Sequence, residues 1–174
     1  PQIGWPFNVG GEPGQVPGPD EALTEEIGIR SVGPFPGNGH FYMVIPSEDG
    51  VTWNEAKTAA ESTVFEGVSG HLATFTSREE YDWFVESARW NEEAWIGGFK
   101  TIRGQGPDSE WRWVTGEPWS FAAWSDGEPN SRWTGENVSL ALWQNDESWR
   151  DEGQGSSLRE YIVEFPVGES LVAS

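Results

Sequence analysis

The sequence predicts an α+β domain in which two early helices are followed by a series of short strands. The chain has 174 residues, the length of one domain, and its 12 tryptophans and 9 phenylalanines supply the bulk of a core. Two capping-box patterns in its first half mark helix starts. Short apolar runs bounded by glycine, proline and polar residues, which are typical of strands, fill the second half.

Residues 1–38 are rich in glycine and proline and show no sustained hydrophobic period. This composition predicts an N-terminal arm that packs only partly on the domain, through side chains such as Ile29. The regular pattern that follows predicts the domain itself over 39–166 and a C-terminal tail over 167–174. Because the chain begins with Pro1, we expect an internal fragment or a processed start.

Both predicted helices begin at a hydroxyl residue that a glutamate follows three positions later. Thr52-Trp-Asn-Glu55 predicts a capping box that opens an alanine-rich helix over about 53–62. Ser77-Arg-Glu-Glu80 predicts a second capping box, opening a helix that ends near residue 89 and has one apolar face.

Strands are expected where apolar or alternating residues end at a turn signal. They lie at 40–45, 71–75, 95–98, 111–113, 138–143, 148–150 and 160–165. A long loop of aromatic, glycine and proline residues runs from about 115 to 135. We expect the first and last strands to pair and bring the two ends of the domain together.

The charge balance excludes several classes of partner. The chain carries 10 basic and 29 acidic residues, which gives a net charge of −19. Such acidity opposes binding to nucleic acid or to anionic lipid, because both require a basic face. No apolar run approaches the roughly 18 residues of a membrane span, so membrane insertion is not expected. Solubility or adaptation to salty water explains most of the acids, whereas a few of them suit calcium, which prefers carboxylate oxygens.

The chain has no cysteine and only 2 histidines, His40 and His71. A disulfide framework, a thiolate metal site and cysteine chemistry are therefore excluded. The two histidines are separated in sequence and lack metal-ligand spacing, so both are predicted to be structural.

Short motifs such as Trp53-Asn-Glu-Ala56, Trp95-Ile-Gly-Gly98 and Tyr161-Ile-Val-Glu164 stand in order along 39–166, and together they resemble the C-type lectin-like family. Trp53-Asn-Glu-Ala56 is similar to the family's W-x-E-A, and Ser69-Gly-His-Leu-Ala-Thr-Phe-Thr-Ser-Arg-Glu-Glu80 is similar to its G-G-H-L-A-x-I-x-S-x-x-E. Trp95-Ile-Gly-Gly98, Trp111-Arg-Trp-Val-Thr-Gly116 and Tyr161-Ile-Val-Glu164 resemble W-I-G-L, W-x-W-x-x-G and Y-I-C-E. Any one motif is weak, but the ordered set is specific. It implies a fold with two helices, short antiparallel sheets and a long ligand-binding loop.

The stretch 124–151 resembles the family's calcium and sugar site. The stretch contains an E-P-N tripeptide, then a G-E-N and then a W-x-D. By matching position, the resemblance implies four calcium ligands: Glu128, Asn130, Glu136 and Asp151. Calcium takes about 6 to 8 oxygen ligands, and two vicinal sugar hydroxyls can complete that shell while they exchange hydrogen bonds with the same side chains. The resemblance also implies a cis peptide bond before Pro129.

The order Glu128 then Asn130 implies glycans of the mannose and fucose class. The residues expected to contact the sugar are Glu128, Asn130, Glu136, Arg150 and Trp133. Arg150 stands where the family has the asparagine of W-N-D, and a guanidinium cannot ligate a cation. It therefore either points outward or donates hydrogen bonds to a sugar, and Asn145 or Asp146 is the candidate substitute ligand.

The cysteines of the family are replaced here by residues such as Ala60 and Val163, a pattern that resembles bacterial or phage lectin-like domains. Together with the acidity, it predicts a module of a large extracellular or cell-surface adhesin. Such a module would bind cell-surface or exopolysaccharide glycans without enzymatic activity. No motif indicates the oligomeric state.

Two rival functions remain open. A lectin-like fold that binds protein without calcium is favoured by Arg150 and opposed by the intact Glu128-Pro-Asn130. A glycoside hydrolase would use paired carboxylates, but no motif fixes such a pair.

Overall fold

The computed structural model describes residues 28–100, 111–130 and 137–167. These residues form two helices, α1 (Trp53–Glu61) and α2 (Arg78–Ser87). The strands are β1 (Arg30–Val32), β2 (Phe41–Val51), β3 (Val64–Phe65), β4 (Val68–Ser69), β5 (His71–Leu72), β6 (Glu93–Lys100), β7 (Trp111–Trp113), β8 (Val138–Trp143), β9 (Ser148–Gly153) and β10 (Leu158–Phe165). The α+β class is therefore confirmed. Neither helix is long and apolar enough to cross a bilayer.

One sheet organises the domain, with the strand order β1-β2-β10-β6-β8-β9, β5 added beside β10 and β7 added beside β6. The expected pairing of the first and last predicted strands is confirmed, since β2 and β10 lie antiparallel with Val44 opposite Ile162. The other pairs are antiparallel too, except that β10 meets β6 in parallel where Tyr161 lies opposite Trp95. The sheet is thus mixed. Strands β3 and β4 form a separate hairpin.

The sheet has an apolar core on each face, because side chains alternate between the two faces along a strand. On β2, Met43 and Ile45 join the core that contains α1. Their neighbours Tyr42 and Val44 join the other core, which contains α2 and the aromatic side chains of the long loop. This alternation decides which residues of the later strands face the loop.

Four tryptophans assigned to the core by their place in the motifs are buried. Trp53, Trp95, Trp111 and Trp149 are at most 4% exposed. The Trp53 indole N–H donates to the Ile96 carbonyl at 2.9 Å, which fixes the start of α1 against β6. These assignments are confirmed.

The two capping boxes have different outcomes. At α1, the Glu55 backbone N–H donates to the Thr52 hydroxyl at 3.3 Å and the Thr52 N–H donates to the Glu55 carboxylate at 3.0 Å, so the box is complete. At α2, the Ser77 hydroxyl accepts from the Glu80 N–H at 3.1 Å, but the Glu80 carboxyl is buried and bonds to Thr76 N–H and to Tyr42 instead. The prediction of a second capping box was therefore half wrong. The serine caps the helix, but burial draws the carboxyl of Glu80 away from the Ser77 backbone.

The edges of the sheet extend beyond the predicted strands. Strand β1 lies in the stretch predicted as an arm, pairs with β2, and follows the buried Ile29. Conversely, the strand expected at 71–75 is regular only over β5, although Ala73 still donates to the Ile162 carbonyl at 2.9 Å. The rest of the arm, up to residue 27, and the tail from residue 168 lie outside the described residues.

Candidate metal and ligand site

Stacked aromatic rings hold the long loop that follows β7 against the sheet. Trp119 stacks on Trp113 with ring centroids 4.6 Å apart and on Trp111 at 5.8 Å. Phe121 meets Trp149 edge to face at 5.6 Å. Such pairs stabilise beyond the area that they bury, by roughly 0.5–1.5 kcal/mol each, so these rings anchor the loop on the core that contains α2.

Backbone hydrogen bonds then align the loop with β9. The Trp149 N–H donates to the Ala123 carbonyl at 2.8 Å, and the Ser125 N–H donates to the Trp149 carbonyl at 2.9 Å. Trp124 thereby forms a parallel bridge with Trp149 and packs on Trp111 at a centroid distance of 5.1 Å. The loop therefore covers the outer edge of β9, the last strand in the order of the sheet.

A turn directs the loop back toward β9 after Ser125. The Glu128 N–H donates to the Ser125 carbonyl at 2.9 Å, and Gly127 adopts a φ of +84° that favours glycine. The Ser125 hydroxyl also contacts the hydroxyl of Ser148 and the carboxylate of Asp146, the latter at 3.2 Å. Asp146, a candidate substitute ligand, therefore supports the turn.

Glu128, Asn130 and Asp151 converge beyond this turn. The peptide bond between Glu128 and Pro129 is cis, as the resemblance implied. The Asn130 backbone N–H donates to the Asp151 carboxylate at 3.1 Å, and the Asn130 side-chain amide donates to the Glu128 carboxylate at 3.0 Å. The Asp151 N–H approaches the other Glu128 oxygen at 3.4 Å. The three side chains therefore form one polar cluster at the edge of β9.

The electrostatics of this cluster favour a positively charged ligand. Burial, followed by the neighbouring Asp151 carboxyl, raises the pKa of Glu128 to about 7. Arg150 lowers that pKa through its positive charge, but by less. Two carboxyl groups this close repel each other when both are ionised, and a divalent cation with oxygen ligands would relieve the repulsion. The carboxylate and amide oxygens present thus fit calcium chemically.

The residues expected at the site have three different placements. Glu128, Asn130 and Asp151 lie together, while Glu136 and Trp133 lie outside the described residues. The Arg150 guanidinium lies over the Trp143 ring. Because neighbours along a strand point to opposite faces, Arg150 leaves β9 on the face away from Asp151.

A second polar cluster, formed by His40, Tyr42, Glu80 and Glu164, went unrecognised in the sequence. Their side chains are buried and linked by hydrogen bonds. One ring nitrogen of His40 and one carboxylate oxygen each from Glu80 and Glu164 lie within 4.8 Å of one another. Glu80 and Glu164 end two of the motifs quoted above, but no local pattern indicates that residues so far apart in sequence meet.

Comparison with known proteins identifies the family of the domain. The family model for the Lectin C-type domain matches residues 49–162. Halomucin of Haloquadratum walsbyi is 29% identical over 141 residues, which cover 74% of this chain and 1% of halomucin. Mouse C-type lectin domain family 4 member F is 32% identical over 127 residues, or 69% of this chain and 20% of that protein. The chain thus spans a small part of these relatives.

Solved structures share the fold. The carbohydrate-recognition domain of cow CD23, determined in the presence of a GlcNAc2Man3 oligosaccharide, superposes with a TM-score of 0.57 at 26% identity, covering 72% of this chain and 86% of that one. A calcium-independent type II antifreeze protein superposes with a TM-score of 0.58 at 21% identity, covering 78% and 95%. At that identity, the second likeness concerns the fold alone.

Proposed function

Because the chain belongs to the family of C-type lectin domains, we propose that it binds carbohydrate in a calcium-dependent manner and has no catalytic role. The observation that carries the proposal is the convergence of Glu128, Asn130 and Asp151 beside β9. Asp151 follows Asn130 by 21 positions and Glu128 by 23, yet hydrogen bonds join it to both. Carboxylate and amide oxygens are ligands that suit a hard cation.

The proposed calcium ligands are Glu128, Asn130, Glu136 and Asp151. Calcium bound there would present open coordination positions to two vicinal hydroxyls of a sugar. The Glu128 carboxylate accepts hydrogen bonds and the Asn130 amide donates them, so the pair can orient those hydroxyls. The order Glu128 then Asn130 supports a preference for glycans of the mannose and fucose class.

Trp133 and Arg150 are the proposed further contacts to the sugar. An aromatic ring beside the ligands supplies an apolar face for a sugar ring. The stacking of Arg150 on Trp143 gives its guanidinium a position on the other face of β9, so a direct contact requires a glycan longer than one sugar unit. The domain would serve adhesion to glycosylated surfaces, outside the cell, as part of a larger protein.

A calcium-independent protein-binding module is the second candidate. The observation in its favour is the positive charge of Arg150 near Glu128, at a position where the family has an asparagine. In such a module, the hydrogen bonds that Glu128 accepts from Asn130 and Asp151 would be structural.

Thermal unfolding in EGTA, in calcium, and in calcium with mannose or fucose separates the two candidates. A ligand that binds only the folded state raises the melting temperature, by about 5–10 °C at 100 times its dissociation constant for a chain of this size. The lectin proposal requires a rise with calcium and a second rise with sugar, and galactose serves as the control sugar. No response to millimolar calcium would favour the protein-binding module.

A further inference from the structure

The turn between β8 and β9 is bonded to the turn that carries Glu128. The hydroxyls of Ser125 and Ser148 contact each other, and the Asp146 carboxylate accepts from both, at 3.2 Å from the Ser125 hydroxyl. Ser125 is 7% exposed, so its hydroxyl relies on these protein partners. We refer to Ser125, Asp146 and Ser148 as the hydroxyl cluster.

Ser125 is the residue at which the loop leaves β9 and the turn begins. Its backbone N–H donates to the Trp149 carbonyl at 2.9 Å, and its carbonyl accepts from the Glu128 N–H at 2.9 Å. The side chain and both backbone groups of Ser125 are therefore bonded at once. Any displacement of Ser125 is transmitted to Glu128 through the second of these backbone bonds.

The β8–β9 turn is itself held from α2. The Tyr81 hydroxyl, on a side chain only 3% exposed, donates to the Glu147 carbonyl at 2.5 Å. Glu147 has a φ of +52°, in a region that residues other than glycine rarely adopt. Such a conformation persists where the surrounding contacts determine it. The bond from Tyr81 thus fixes the residue that follows Asp146.

The contacts of Asp146 favour a supporting role over a place in the ligand set. One of its oxygens receives the Ser148 hydroxyl and the other receives the Ser125 hydroxyl. A cation at Asp146 would compete with these two donors for the same oxygens. Hydrogen bonds to a charged acceptor are among the stronger ones in proteins, so the cluster suits the holding of a backbone turn.

We propose that the hydroxyl cluster preorganises the turn that carries Glu128 before any cation binds, and that Asp146 is a positioning residue and not a calcium ligand. A turn that is already ordered loses less conformational freedom when its ligand binds, so the cluster raises affinity without touching the ligand. The effect on calcium rests on the proposed function. The order of the turn does not, because these bonds are present without an ion.

Amide exchange in EDTA tests the order of the turn. Ser125→Ala removes the hydroxyl, and its control is Ser156→Ala, which removes a hydroxyl bonded to the Glu152 carboxylate at 3.3 Å, away from the loop. We expect the Glu128 amide to exchange about three- to tenfold faster in Ser125→Ala, relative to the amides of α1, and to be unchanged in the control. Equal Glu128 exchange in the two variants would overturn the proposal.

Tyr81→Phe gives a second measurement should Ser125→Ala fail to fold. The substitution keeps the ring that packs on Trp149 and removes only the hydroxyl that bonds to Glu147. The Glu128 amide should again exchange faster relative to α1, by about twofold or more. Unchanged exchange in Tyr81→Phe would contradict the support of the turn from α2.

A double-mutant cycle on calcium affinity separates positioning from ligation. Asp146→Asn leaves one acceptor oxygen, since the amide nitrogen cannot accept a hydroxyl, and the exposed Asp126→Asn controls for the lost charge. We expect Ser125→Ala and Asp146→Asn each to weaken calcium binding about three- to tenfold, and the double variant to be little weaker than the weaker-binding single variant. Losses that multiply, with Asp146→Asn far the larger, would assign Asp146 to the ligand set and overturn its positioning role.

The two measurements also distinguish this proposal from the proposed function. Faster Glu128 exchange in Ser125→Ala, in a chain that binds no calcium, would refute the lectin proposal and support the preorganised turn. Calcium binding by the unmodified chain, together with equal Glu128 exchange in Ser125→Ala and Ser156→Ala, would support the lectin proposal and overturn this one.

Discussion

The carboxylate of Glu128 receives the backbone N–H of Asp151 at 3.4 Å, although the two residues are 23 positions apart in the chain. Their side-chain carboxyls also lie close enough for Asp151 to raise the pKa of Glu128. This relationship joins the loop turn to β9 and concentrates negative charge at the edge of the sheet.

Replacing Glu128 by glutamine removes one of the two facing carboxylates while it preserves the shape of the side chain. We expect calcium affinity, and with it sugar affinity, to fall by at least about tenfold, or ~1.4 kcal/mol. The melting temperature without calcium should stay equal or rise, because the repulsion from Asp151 is lost. Isothermal titration with calcium, and then with mannose, measures the effect.

Asp126→Asn is the matched control for this substitution. Asp126 is exposed and lies in the same turn, two positions before Glu128. The calcium affinity of Asp126→Asn should lie within about twofold of that of the unmodified chain, because surface charges away from the ligands act through screened interactions. Equal losses in both variants would indicate a general charge effect and remove Glu128 from the ligand set.

Arg150→Asn introduces the residue that the family has at this position. The Arg150 charge acts on Glu128, so its removal should strengthen calcium binding severalfold, by about 0.5–1 kcal/mol for a partly screened charge. The exposed Arg159→Asn serves as the control. Calcium titration checks the first effect, and sugar titration at saturating calcium tests whether the guanidinium contacts the glycan. Weaker calcium binding by Arg150→Asn would contradict our account of its charge.

Gly97 lies where β6 passes close to the end of β5. A Cβ atom there would come within 2.7 Å of the Leu72 carbonyl oxygen and 3.0 Å of the Ala73 carbonyl oxygen, which are backbone atoms with little freedom to move. We expect Gly97→Ala to lower the free energy of unfolding by about 1–3 kcal/mol. At Gly155, a Cβ would meet no atom within 4 Å, so Gly155→Ala should be nearly neutral. Urea unfolding of the two variants gives the comparison, and similar midpoints would refute the predicted clash.

The net charge of −19 makes the stability of the fold dependent on salt. Self-repulsion among exposed carboxylates opposes the compact state, and the screening length falls to about 3 Å at 1 M salt. We expect the melting temperature to rise steeply up to about 1 M KCl and to level off above it. Charge reversal at the exposed Glu86, as Glu86→Lys, should reduce the slope slightly. A melting temperature that is constant or falls with KCl would show that repulsion does not limit stability.

The sequence by itself determined the features that neighbouring residues encode. The complete capping box at Thr52 and the four core tryptophans were readable from short motifs, and each is present. The cis bond before Pro129 was implied by the resemblance to the family, and it is present too. The α+β class followed from the order of the predicted elements, two early helices and then short strands. Local patterns were sufficient because helix starts and buried motif positions depend mainly on residues within a few positions of one another.

Only the tertiary structure decided which distant side chains meet. Motifs indicated Glu128 and Asp151 separately, but the pairing of residues 123–125 with Trp149 brings them together. Motifs likewise gave Glu80 the role of a capping residue, whereas burial beside Glu164 draws its carboxyl inward. The physical reason is that the face on which a side chain lies, and the partner it meets there, depend on the register between strands, and the register is fixed only when the whole sheet is assembled.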